Sequence, residues 1–237
     1  DELRGMGAED VKISDNAYVY ARIPSNVKRD IPKIGFIAHL DTAPAVSGTG
    51  VKPRVFENYD GGTLEIGNGV SIRPEEFCHL SNYIGQDIIT SSGDTLLGAD
   101  DKAGVAEIMT MAETLIKDKS IRHGRIAIGF TPDEEVGNGA TLFDVKGFGA
   151  DFAYTVDGGP IGEIEYENFN AASAKVLVHG QNIHPGGAKD KMVNSIHVFE
   201  EFNALLPAFE RPEHTEGYEG FFHLGSIEGS VEQTKAS

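Results

Sequence analysis

Cys78 is the only cysteine in 237 residues, so no internal disulfide can form and an oxidised, disulfide-framed scaffold is excluded. The lone thiol is expected to serve as a small, partly buried apolar residue. Basic residues are scarce as well, 20 Lys and Arg against 37 Asp and Glu, for a formal net charge of −17. Such a balance repels the phosphates of nucleic acid and offers nothing to an anionic membrane. No stretch approaches the ~20 apolar residues of a membrane span. Asp1-Glu2-Leu3-Arg4-Gly5 has no signal-peptide character. Internal repeats and low-complexity tracts are absent too. What remains is a soluble, cytoplasmic chain of one or two domains, with no nucleic-acid or membrane partner and an apolar content of 40% to build a core.

Short apolar runs alternate with amphipathic stretches, which predicts an α/β domain. Ile34 to Ala38 reads as a buried strand, and Arg125 to Phe130 and Phe152 to Val156 as two more core strands. Over residues 101–117, Val105, Ile108, Met109, Ala112, Leu115 and Ile116 fall on one helical stripe. The Gly-rich interval from Asp41 to Gly98 carries strand-like pieces at Thr63–Ile66 and Asp87–Thr90, read as a hairpin-like insertion. Beyond about residue 169 a smaller domain opens: a strand from Ala174 to His179, a loop from Ile183 to Lys191, a helix from Ser195 to Leu206 stopped by Pro207, and a strand from Phe221 to Ile227.

Acidic clusters stand at the strand ends: His39-Leu40-Asp41, Asp100-Asp101-Lys102 at the head of the helix, Asp133-Glu134-Glu135 and Asp157-Gly158-Gly159. In open α/β sheets, ligand sites form beyond the carboxyl ends of the strands. Each cluster alone has an ordinary explanation. A His-x-Asp pair is usually a surface hydrogen bond, two Asp before a helix are capping residues, and Asp-Gly is a turn. Taken together, carboxylates and one imidazole converge at a single sheet edge with no basic run to neutralise them. Like charges gather in this way at a cost unless cations sit among them, and zinc takes a mixture of His and carboxylate ligands.

HLDT at 39–42, LLGADDKAGVAEI at 96–108, TPDEEVG at 131–137 and YTVDGG at 154–159, in this order, resemble the signature of the dizinc exopeptidases. That family includes carboxypeptidase G, aminoacylase and succinyl-diaminopimelate desuccinylase. The insertion with ENYDGGTLEIG at 57–67, and NIHPGGAKDKMVNS at 182–195, resemble its tripeptide aminopeptidase branch. The resemblance implies a zinc-exopeptidase-like catalytic domain over 1–169, with a mixed, mostly parallel sheet flanked by helices. It implies part of a smaller α+β lid or dimerisation domain over 170–237.

The same resemblance implies roles. His39 and Asp157 would each bind one zinc, Asp100 would bridge two, and Glu135 would hold the second. Glu134 would be the general base, Asp41 would orient His39, and His184 would help polarise the scissile carbonyl. Asp101 would follow a non-proline cis peptide that aims Asp100. The remaining histidines, His79, His123, His179, His197, His214 and His223, read as surface or packing residues. The implied activity is zinc-dependent removal of the N-terminal residue from short peptides, with two zinc ions per full-length subunit and a homodimer through the small domain. Carboxypeptidase or N-acyl amino acid amidohydrolase activity fits the same ligands. A non-catalytic, metal-stabilised binding module does not, because it has no use for an unligated Glu134. Family members carry a helix and strand ahead of the position of Asp1 and a final zinc-binding His after the small domain. Measured against them the chain is cut short at both ends, and would hold at most one zinc tightly and have negligible peptidase activity.

Overall fold

The structure, a computed structural model, describes residues 1–168 and 170–237, so Phe169, where the catalytic domain was expected to end, lies outside the described residues. The chain divides into two compact units, Asp1–Glu165 and Tyr166–Ser237.

In the first unit the elements run α1 (Glu2–Met6), β1 (Glu9–Ile13), β2 (Val19–Ile23), β3 (Ile34–His39), β4 (Arg54–Phe56), β5 (Leu64–Gly67), β6 (Val70–Ile72), β7 (Ile88–Thr90), α2 (Ala99–Lys117), β8 (Ile126–Thr131), α3 (Val145–Phe148) and β9 (Phe152–Thr155). Five strands form a mixed sheet in the order β1-β2-β8-β3-β9. β1, β2 and β8 pair antiparallel, whereas β8, β3 and β9 run parallel. Central β8 is buried at every position. A strand covered on both faces needs a continuous apolar run, and Ile126 to Phe130 supplies it.

One face of the sheet packs against α1 and α2. Ala21, Ile23, Ala38, Ile126, Ile128 and Phe130 meet Leu3, Ile108, Ala112 and Leu115 there. The buried helix positions Ile108, Ala112 and Leu115 belong to the stripe read from sequence. On the opposite face Tyr18, Tyr20 and Phe148 gather with Phe143. Gly35 is required on this face, because a Cβ would come within 2.4 Å of the Phe148 ring.

Three expectations need correction. β9 is not a core strand: all four residues are exposed, since among the described residues it lies at the sheet's edge and pairs with β3 alone. The insertion pieces do not pair with each other. β5 pairs with β6 and β7 with β4, around a separate cluster of Tyr59, Leu64, Ile66 and Leu80. Cys78 is exposed, in a 3₁₀ segment beside that cluster.

The second unit holds β10 (Val176–His179), α4 (Ser195–Leu205), β11 (Ile227–Gly229) and β12 (Gln233–Ala236). Its antiparallel sheet has the order β10-β12-β11. Asn194 caps α4 by accepting the Ile196 N–H. Fully buried Ser195 bonds the Ser230 carbonyl and the Thr234 hydroxyl, tying α4 to β12. The strand expected over Phe221–Ile227 is displaced: β11 spans Ile227–Gly229, and its partner is β12. β12 escaped sequence reading because Gln-Thr-Lys-Ala shows no apolar alternation.

Candidate metal centre

Register builds the site. In the parallel pair of β3 and β8, Ile34 lies opposite Ile126 and His39 opposite Thr131. On the other side, Ile37 lies opposite Thr155 and accepts the Val156 N–H at 2.7 Å. The residues that follow β8 and β9, Asp133 to Glu135 and Asp157, therefore emerge level with His39 at the carboxyl edge of the sheet. α2 begins at the same edge, and its head departs from helical geometry at Asp100 (φ −82°, ψ 108°) and Asp101 (φ −117°, ψ 35°). The peptide between them is cis, as the family resemblance implied.

Each of His39, Asp100 and Asp157 presents a ligand atom within 4.8 Å of the other two. His39 Nε2 is 2.8 Å from Asp100 Oδ1, 3.6 Å from Asp157 Oδ2 and 3.7 Å from Glu134 Oε2. The imidazole itself is buried, while the Asp100 carboxylate stands in the open. Glu134 and Glu135 are not part of the compact three-residue set.

His39 Nδ1 lies 3.1 Å from the Asp41 carbonyl oxygen and 3.4 Å from its carboxylate. Both are acceptors, and Asp100 Oδ1 is another at Nε2, so the metal-free ring favours the doubly protonated form, whereas a cation at Nε2 would leave the proton on Nδ1. The Asp41 carboxylate does a second job. Oδ1 accepts the Glu134 N–H at 3.1 Å and Oδ2 the Glu135 N–H at 3.0 Å. The turn that presents these amides passes through Asp133 at φ 59°, a left-handed conformation in which Asp is among the tolerated residues.

Like charges crowd this cluster, and a cation among them would relieve the crowding. Burial lowers the His39 pKa, but the hydrogen bond to Asp100 and the charges of Asp157, Asp101 and Asp41 outweigh it, and the net shift is upward. Asp157 is pushed up by burial and then by the negative charge of Asp100. Asp41 moves the other way: burial would raise it, but the amides of Glu135 and Glu134 hold it below the usual carboxylate range. One imidazole nitrogen and two carboxylates converging on one point fit a divalent metal, and zinc takes such a donor set.

Of the residues singled out in the sequence, His39, Asp41, Asp100, Glu134, Glu135 and Asp157 share this edge of the first unit. His184 lies in the second unit, exposed, where its Nδ1 accepts the Gly186 N–H at 3.2 Å at the head of a 3₁₀ turn over Pro185–Gly187. Sequence reasoning gave Asp101 as a capping residue but missed its second contact and the contact of Lys102. Asp101 is 2% exposed and receives the His39 N–H at 3.0 Å, and Lys102 Nζ donates to the Leu40 carbonyl at 2.8 Å. The only signal was the Asp-Asp-Lys run itself.

Residues 166–237 match the peptidase dimerisation domain family. The chain is 61% identical to peptidase T of Clostridium perfringens strain ATCC 13124, over 100% of its own length and 58% of that protein. It is 55% identical to peptidase T of Geobacillus kaustophilus, over 99% of its own length and 58% of the relative. Among solved structures it resembles aminopeptidase PepT from Bacillus cereus ATCC 10987, with a TM-score of 0.71 and 26% identity, over 99% of this chain and 57% of that one. A tripeptidase from Staphylococcus aureus shares the fold at a TM-score of 0.64 and 22% identity, again over 99% and 57% of the two chains. The resemblance read from the four motifs is thus matched by similarity to peptidase T along the whole chain. The chain spans a little over half the length of these relatives.

Proposed function

We propose that this chain carries the zinc-binding half of a cytoplasmic metallo-aminopeptidase that releases the N-terminal residue of short peptides, tripeptides among them. One observation carries the reading: the His39, Asp100 and Asp157 ligand atoms lie within 4.8 Å of one another, with the Glu134 carboxylate 3.7 Å from His39 Nε2. The similarity to peptidase T supplies the substrate class.

In this reading His39, Asp100 and Asp157 would hold one zinc ion. Glu135 would help Asp100 hold a second. Zinc bound there supplies positive charge that polarises a peptide carbonyl and acidifies water. Glu134 takes the proton from the attacking water and passes it to the departing amine. Asp41 holds the turn that carries Glu134 and keeps the His39 proton on Nδ1. His184 is assigned the scissile carbonyl on its His-Pro-Gly context alone. The match of residues 166–237 to a peptidase dimerisation domain supports a homodimer.

Hydrolysis of free tripeptides, N-acyl amino acids and peptides blocked at the C-terminus by the full-length protein tests this. Cleavage of tripeptides and blocked peptides, with N-acyl amino acids untouched, is the expected outcome. Preference for N-acyl substrates, or a requirement for a free C-terminus, would reassign the enzyme to the amidohydrolases or carboxypeptidases.

A further inference from the structure

The first turn of α2 grips both neighbouring strand ends with residues that the ligand set does not use. Asp101 is buried, and each of its oxygens has its own donor. Oδ1 accepts the Gly104 N–H at 3.1 Å and so caps the regular part of the helix, while Oδ2 accepts the His39 N–H at 3.0 Å. One residue on, Lys102 Nζ donates to the Leu40 carbonyl at 2.8 Å. The backbone on either side of the His39 side chain is therefore held from the helix that also carries Asp100. Gly104 completes the arrangement: a Cβ there would stand 1.8 Å from the Val156 carbonyl oxygen, in the residue just before Asp157. The helix backbone thus lies directly on the chain that delivers the third ligand.

We propose that Asp101 and Lys102 form a two-point clamp which, with the close approach at Gly104, fixes the spacing of His39, Asp100 and Asp157 before a metal arrives. They are positioning residues, and the proposal rests on the metal reading of the site. A carboxylate suits the inner point because both of its oxygens accept. Asn offers one acceptor and one donor, so one of the two backbone N–H groups would face another donor. A helix cap alone needs only a single acceptor and would not call for burying a full charge. The second oxygen, spent on His39, is the unexplained part that the clamp accounts for. Lys102 lies on the exposed side and closes the same loop from outside.

The test compares full-length wild-type protein with Asp101→Asn, Lys102→Met and, as a control, Ile108→Val, a core residue of the same helix. Each is stripped of metal, its thermal midpoint recorded, its zinc affinity measured by competition with a chelating dye, and its cobalt(II) visible spectrum taken. Asp101→Asn should weaken zinc binding about tenfold or more, the low end for loss of an outer partner of a metal ligand, and should change the cobalt bands. Lys102→Met should shift both in the same direction by less. Ile108→Val should lower the thermal midpoint and leave affinity and spectrum as in wild type. Wild-type affinity and spectrum in Asp101→Asn overturn the clamp. Should that variant not fold, the same result in Lys102→Met overturns it. So does a loss of affinity in Ile108→Val that matches its loss of stability as closely as in Asp101→Asn. A wild-type protein that takes up no zinc overturns the metal reading and the clamp with it.

Discussion

The Glu135 N–H donates to Asp41 Oδ2 at 3.0 Å, joining residues 94 positions apart. With the matching bond from Glu134 to Oδ1, one carboxylate receives two successive amides and sets the turn that carries the proposed base. Asp41 therefore touches the site from two sides, at His39 Nδ1 and through this turn.

Replacing Asp41 with Ala leaves both amides without their acceptor. In the full-length protein, turnover should fall at least ~10-fold, in the range seen when outer partners of a metal site are removed. Hydrogen exchange at the Glu134 and Glu135 amides should accelerate at the same time. Unchanged protection of those two amides would show that the turn holds itself.

Glu134→Gln keeps the shape of the side chain and removes its basicity. Zinc content should stay at the wild-type level while turnover drops by at least ~10²-fold, the low end of general acid–base contributions. Loss of zinc along with activity would make Glu134 a ligand rather than the base.

Acidity should compete with metal. The His39 imidazole titrates above its ordinary ~6.5 because its bond to Asp100 and the surrounding carboxylates outweigh the effect of burial. In the metal-free protein this interaction stabilises fully below the unfolded value and is lost as pH rises through the folded one. Zinc binding runs the opposite way, since a proton on Nε2 occupies the lone pair the metal needs. Zinc affinity measured between about pH 5 and 8 should climb with pH and still be climbing above 6.5. A plateau already reached below that point would contradict the upward shift.

Much of the site was legible in the sequence because strand ends are marked by abrupt changes of chemistry. Ile34 to Ala38 is apolar up to His39, and the run that ends at Phe130 gives way to Pro132-Asp133-Glu134. The α2 stripe was readable for a similar reason, its 3.6-residue period being carried by six side chains. The exposure of β9 was not, because an edge strand and a central one share the same run of residues and differ only in their neighbours. Pairing in the insertion depended on contacts between β4 and β7, which no local pattern announces. The double use of Asp101 was hidden behind a correct but incomplete reading: it does cap the helix, and the oxygen left over reaches a residue 62 positions away.

The central claim is that His39, Asp100 and Asp157 hold a zinc ion, and anomalous diffraction at the zinc edge from crystals of the zinc-loaded, full-length protein tests it most directly. The expected result is a zinc peak with His39 Nε2 and one oxygen each of Asp100 and Asp157 within ~2.0–2.2 Å of it. Saturated protein with its zinc elsewhere, or with any of these three side chains turned away from the metal, would contradict it.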